Sequence, residues 1–141
     1  MSLDLVEVLI PIPLMEKFSY LPPKNNSNLL KQGSRVLVPF GKRTLVGVVW
    51  SFSKRDKSSK RKYKYIKEIL DEVPLLDSNA INLAEWSSRY YHYPLGEIIS
   101  YFFPPSLRKG KEAKFRESKY LELTSKGSFL DEETLTRAPS Q

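Results

Sequence analysis

Residues 35–53 read RVLVPFGKRTLVGVVWSFS. Val36 and Val38 alternate with their neighbours, which puts both on one face of a strand over Arg35–Phe40. Gly41-Lys42-Arg43 is a tight connection. Thr44–Ser53 (TLVGVVWSFS) follows, rich in the β-branched and aromatic residues that strands favour. Two such runs around a short Gly-containing loop predict a β-hairpin. Gly47, inside the second run, predicts a bulge or a tight bend of the kind barrel corners need.

Upstream, Val6, Val8, Ile10 and Ile12 of LVEVLIPIP fall on one face at period 2, a strand whose far end leaves the sheet at Pro11 and Pro13. A short aromatic run, FSY at Phe18–Tyr20, stops at Pro22-Pro23, and residues 24–34 are a polar loop. Downstream, Tyr63–Leu70 reads as a further strand. The period then changes. Asp77-Ser78 are N-cap candidates, and Ile81, Ala84 and the Tyr90/Tyr91 pair recur at helical spacing, with Leu83 and Trp86 beside them. Leu95–Phe103 predicts a second short helix, ended by Pro104-Pro105. The expected fold is mainly β: a small OB-like antiparallel β-barrel with one or two C-terminal helices. Residues 1–105 are expected to form that domain. Residues 106–141 are expected to be a basic linker, with one possible strand at Tyr120–Leu123, and the truncated start of a next unit.

The charge is concentrated. The 141-residue chain carries 23 Lys+Arg against 16 Asp+Glu, a formal +7. Lys54–Lys67 (KRDKSSKRKYKYIK) alone holds eight bases and one acid, so the remaining residues balance at 15 and 15. Such runs are usually solvated loops. Here Tyr63 and Tyr65 interleave with Lys62, Lys64 and Lys67, and strand alternation would turn the lysines to one side and the tyrosines to the other. A row of cations on one face suits a phosphate backbone. A weaker patch at Arg108–Lys119 has six bases against two acids.

Several chemistries are excluded. There is no cysteine, hence no disulfide, thiol nucleophile or thiolate zinc site. The single histidine, His92, reads as a helix-end residue rather than a general base. Neither Gly41-Lys42 nor Gly110-Lys111 has the preceding glycine or following hydroxyl of a P-loop, and no GxSxG is present. Asp71/Glu72 read as strand-end acids. No run of about 18 apolar residues could span a membrane, and the N-terminus lacks a secretory pattern. The expectation is a binding module without enzymatic activity of its own.

Four blocks then occur in order: IPIPLMEKFSYLPP, KQGSRVLVPFGKRTLVGVV, YKYIKEILDEVPLL and RYYHYPLGEIISYFFPPSLRKG. Together, over about residues 5–110, they resemble the N-terminal 3′-DNA-binding domain of the primosomal, replication-restart helicases of bacteria. The family places a winged-helix domain next, and LTRAPSQ at residues 135–141 resembles its lead-in. The resemblance implies a cytoplasmic, nucleoid-associated protein whose domain grips the 3′ end of single-stranded DNA at stalled or branched forks. Its partners would be that DNA and, through a full-length ATP-dependent 3′-to-5′ helicase, primosome proteins and single-stranded DNA-binding protein. The ATP, Mg and structural Zn of such a helicase would lie outside these residues.

Carried over position by position, the family's terminal-nucleotide pocket falls on Phe18, Ser19, Tyr20, Gly41 and Lys64. Family members often carry Asp in the middle of the aromatic step. Serine there can donate or accept. Lys42, Arg43, Lys60, Arg61, Lys62 and Lys67 are the candidate phosphate contacts. Strand alternation alone places Phe18 and Tyr20 on one face and Ser19 on the other, so a regular strand could not aim all three into one pocket. Alternating aromatics are more often core, and a glycine in a hairpin loop is often there for positive φ alone. A protein-interaction scaffold and a ribosomal-type RNA-binding domain are the alternatives that composition leaves open.

Overall fold

The computed structural model describes residues 5–55, 61–114 and 118–129. Five antiparallel strands form one sheet: β1 (Leu5–Leu9), β2 (Phe18–Tyr20), β3 (Arg35–Phe40), β4 (Arg43–Ser53) and β5 (Glu68–Ile69), in the order β2-β1-β4-β3-β5. The two edges of that sheet then meet. Leu21, just past β2, bridges Tyr65, just before β5; its N–H donates to the Lys64 carbonyl at 2.8 Å and its carbonyl accepts from Ile66 N–H at 2.9 Å. The sheet thereby curls into a small barrel with its edges covered. The mainly β, OB-like expectation holds.

The hairpin is as expected, with Phe40 opposite Arg43 and a two-residue loop, Gly41-Lys42. Arg43 therefore belongs to the strand rather than to the connection. Gly47 sits in regular register opposite Val36 and is not a bulge. The irregularity is at Trp50: Glu7 faces Ser51 and Val8 faces Val49, leaving Trp50 as the extra residue. What Gly47 provides is room, since a Cβ there would lie 2.5 Å from Val8 Cγ1 and 2.8 Å from the Leu9 carbonyl oxygen.

The unbroken apolar run VGVVW follows from burial on both faces of β4. Inside the barrel, Val49 packs with Val6, Val8, Ile10, Val36, Val38 and Ile66. Outside, Val48 and Trp50 pack with Leu9 under the helices, against Ile81, Ala84, Ile99 and Phe103. Those helices are α1 (Ser78–Tyr91), α2 (Leu95–Tyr101) and one turn, α3 (Pro105–Arg108). Asp77 caps α1, its carboxylate accepting from Ala80 N–H at 2.8 Å. The buried positions of α1 are Ile81, Ala84 and Ser88. Tyr90 and Tyr91 do not continue the core stripe as the spacing predicted; both are exposed, with Trp86 stacked on Tyr90. His92 ends α1 in the left-handed conformation at φ 49.

Two further expectations are corrected. Tyr63–Leu70 is not a continuous strand: only Glu68–Ile69 pairs as one, because residues 64–66 turn their hydrogen bonds to Leu21 instead of β3. Tyr120–Leu123 is not a strand; among the described residues no strand pairs with it, and its apolar side chains are exposed. Asp71 follows β5, at a strand end as expected. It is buried against Arg35, which is itself fully buried (0% exposed) and donates Nη2 to Oδ1 at 2.7 Å and Nε to Oδ2 at 2.9 Å. The Arg35 backbone N–H bonds the same carboxylate, and Nη1 reaches the Leu107 and Lys111 carbonyls at 2.7 and 3.1 Å. One side chain thus ties β3 to the chain after β5 and to α3. The lead-in at residues 135–141 lies outside the described residues.

Candidate nucleic-acid interface

At the hairpin end of the barrel, three separated stretches converge on one open concavity of about 280 Å³. β2 contributes Phe18, Ser19 and Tyr20; the hairpin contributes Pro39, Phe40 and Gly41; the chain leading to β5 contributes Lys62, Tyr63 and Lys64. All five residues of the expected terminal-nucleotide pocket are therefore brought together.

Their roles in the geometry differ. The register sets Val8 opposite Phe18, Glu7 opposite Ser19 and Val6 opposite Tyr20, so Phe18 and Tyr20 share the interior face as alternation requires. Tyr20 is core, only 4% exposed, with its hydroxyl donating to the Pro39 carbonyl at 3.2 Å. Burial pushes its phenol pKa up from the ordinary value. No ring face of Tyr20 is open for stacking. Phe18 is half-buried and meets Phe40 edge to face at 5.3 Å, so these two rings form the apolar floor. Ser19 turns outward and donates its hydroxyl to the Glu7 carboxylate at 2.9 Å; Ser53 donates to the same carboxylate at 2.8 Å. A held carboxylate thus stands directly behind Ser19.

Gly41 has φ 57, and Lys42 is not in the positive-φ region, the pattern of a II′ hairpin loop. A Cβ at Gly41 would meet nothing within 4 Å. Its glycine is explained by the turn, and the exposed backbone at the rim is the by-product. Lys64 is exposed while its carbonyl is held by Leu21, which fixes where the ammonium starts.

The phosphate candidates divide. Lys62 lines the concavity. Lys42 and Arg43 are exposed on the hairpin beside Gly41 but are not lining residues. Arg61 is exposed. Lys67 lines a different concavity, and its Nζ donates to Thr44 Oγ1 at 2.6 Å. Lys60 lies outside the described residues. The expected split of lysines from tyrosines fails at this point: Lys62, Tyr63 and Lys64 all border the same hollow, because residues 61–64 are not a regular strand. Sequence reasoning missed Phe40 and Tyr63. Phe40 was within reach, since it continues the Val36, Val38 face at period 2. Tyr63, with Arg55 5.6 Å from its ring, carried no local signal for this placement.

No helix among the described residues is long and apolar enough to cross a membrane, and no cluster there has three metal-ligating side chains. Comparison with known proteins adds the lineage. The chain is 30% identical over 127 residues to replication restart protein PriA of Buchnera aphidicola from Acyrthosiphon pisum, covering 90% of this chain and 17% of that protein. Against replication restart protein PriA of Haemophilus influenzae the identity is 31% over 140 residues, 99% of this chain and 19% of the relative. A relative of the same name from Bacillus subtilis matches at 32% over 71 residues, 50% of this chain and 9% of its own length. The chain spans about a fifth of the first two relatives. A family model described as the 3′ DNA-binding domain matches residues 7–104, from β1 through α2, and the chain belongs to that family.

Proposed function

We propose that this chain captures the 3′ end of single-stranded DNA in the concavity at the hairpin tip, as the fork-sensing module of a replication-restart helicase. The observation that carries the reading is the convergence of Phe18, Ser19, Gly41 and Lys64 on one hollow from segments far apart in sequence. Its volume is that of a site for one small ligand rather than a channel for a strand. Phe18, Phe40 and Tyr63 offer apolar surface to a base, a contact that tolerates any base. Lys62 and Lys64 neutralise the phosphates that lead into it. Ser19, with Glu7 behind it, offers hydrogen-bonding atoms to the base edge.

In this reading the module works at stalled or branched forks in the bacterial cytoplasm. ATP, Mg and Zn serve the remainder of the helicase, through which primosome proteins and single-stranded DNA-binding protein are met. The test compares matched oligonucleotides ending in a 3′ hydroxyl and a 3′ phosphate. The hydroxyl end binds more tightly, because a hollow of one-nucleotide size has no room for the added phosphate. Equal affinity overturns end recognition.

A further inference from the structure

The end-binding reading leaves a roomier concavity unused. It holds about 470 Å³ and is lined by Lys24, Asn25, Asn26, Tyr65, Lys67 and Glu72, with others. Its position relative to the first is set by one stretch of chain: residues 62–64 border the first hollow, and residues 65–69 border this one. The hydrogen bonds of Lys64 and Ile66 to Leu21 hold that stretch extended. Three residues of extended chain cover about 10 Å, the scale of one or two nucleotides of an unpaired strand. Lys67 lines the second concavity, and its ammonium donates to Thr44 Oγ1.

The chemistry of this groove differs from a phosphate track. Lys24 and Lys67 are countered by Glu68 and Glu72, all four among its lining residues. A groove without net charge does not select a polyanion backbone. What it presents is base-reading chemistry. Tyr65 keeps 48% of its surface exposed, and Lys24 Nζ stands 5.6 Å from its ring centroid. Asn25 and Asn26 supply amide donors and acceptors, and carboxylates accept from exocyclic amino groups.

We propose that this groove is a second nucleotide subsite, which stacks the base next to the 3′-terminal nucleotide on Tyr65. The inference rests on the end-binding reading above. The experiment uses the whole chain and oligonucleotides with a free 3′ hydroxyl, either intact or abasic at the second or third position from that end. The abasic change weakens binding to the unmodified protein and to Tyr65→Phe on the order of 10-fold, the scale of one lost stacking contact. Tyr65→Ala weakens the intact oligonucleotide by a similar factor and shows no added loss with the abasic one. An abasic penalty that is absent in the unmodified protein, or identical in Tyr65→Ala, overturns the subsite. Persistence of 3′-hydroxyl over 3′-phosphate preference in that case leaves end binding standing; loss of the preference in the unmodified protein removes both.

Discussion

Arg35 shows what a residue's neighbours in sequence leave out. It opens a strand and Asp71 follows one, and neither position names its partner. In the fold they form a bidentate pair 36 positions apart, with Nη1 donating to the Leu107 and Lys111 carbonyls and the guanidinium 5.9 Å from the Phe103 ring centroid. A buried pair contributes little net stability when whole, yet removing one partner strands a charge in a low-dielectric interior. Asp71→Ala is expected to cost about 3–5 kcal/mol in urea unfolding. A loss under about 1 kcal/mol would mean that water reaches the guanidinium once the carboxylate is gone.

Among the elements, the contact between α2 and the end of β1 decides how the helices sit on the barrel. Gly96, in the first turn of α2, lies directly over the Ile10 backbone, and a Cβ there would collide with the Ile10 carbonyl oxygen. That gives the P-L-G step a packing reason independent of any ligand. Gly96→Ala must push α2 off the sheet, with an expected cost of about 1–3 kcal/mol, read as a lower midpoint in thermal or urea unfolding. No helix residue lines the end-binding concavity. The same variant is therefore expected to keep its preference for a free 3′ hydroxyl under conditions where it is folded. An unchanged midpoint would show that α2 is not held against β1 this tightly.

On the scale of the whole molecule, the charge and the cavity have to act together. The +7 of the chain resides in one segment, and its C-terminal part delivers Lys62 and Lys64 to the rim of the hollow. Single-strand binding loses about 0.7 in the slope of log K against log salt for each phosphate contact removed. Lys62→Ala together with Lys64→Ala should therefore flatten that slope by about 1.4. Titrating binding against salt checks this, and an unaltered slope would mean that the two ammonium groups do not touch the strand.

The sequence by itself determined the parts whose causes are local. The Val36/Val38 alternation, the hairpin turn at Gly41 and the Asp77 cap need only neighbours a few positions away, and the positive segment is visible as composition. The grouping of Phe18, Ser19, Tyr20, Gly41 and Lys64 was legible only through the resemblance, since no spacing rule joins a strand, a turn and a loop. Tertiary structure alone decided the rest: the Leu21–Tyr65 bridge that closes the barrel, the exposure of Tyr90 and Tyr91, the burial of Tyr20, and the Arg35–Asp71 pair. Each depends on which distant segment competes for the same hydrogen bonds and the same buried volume, and that competition is settled only when the chain has closed on itself.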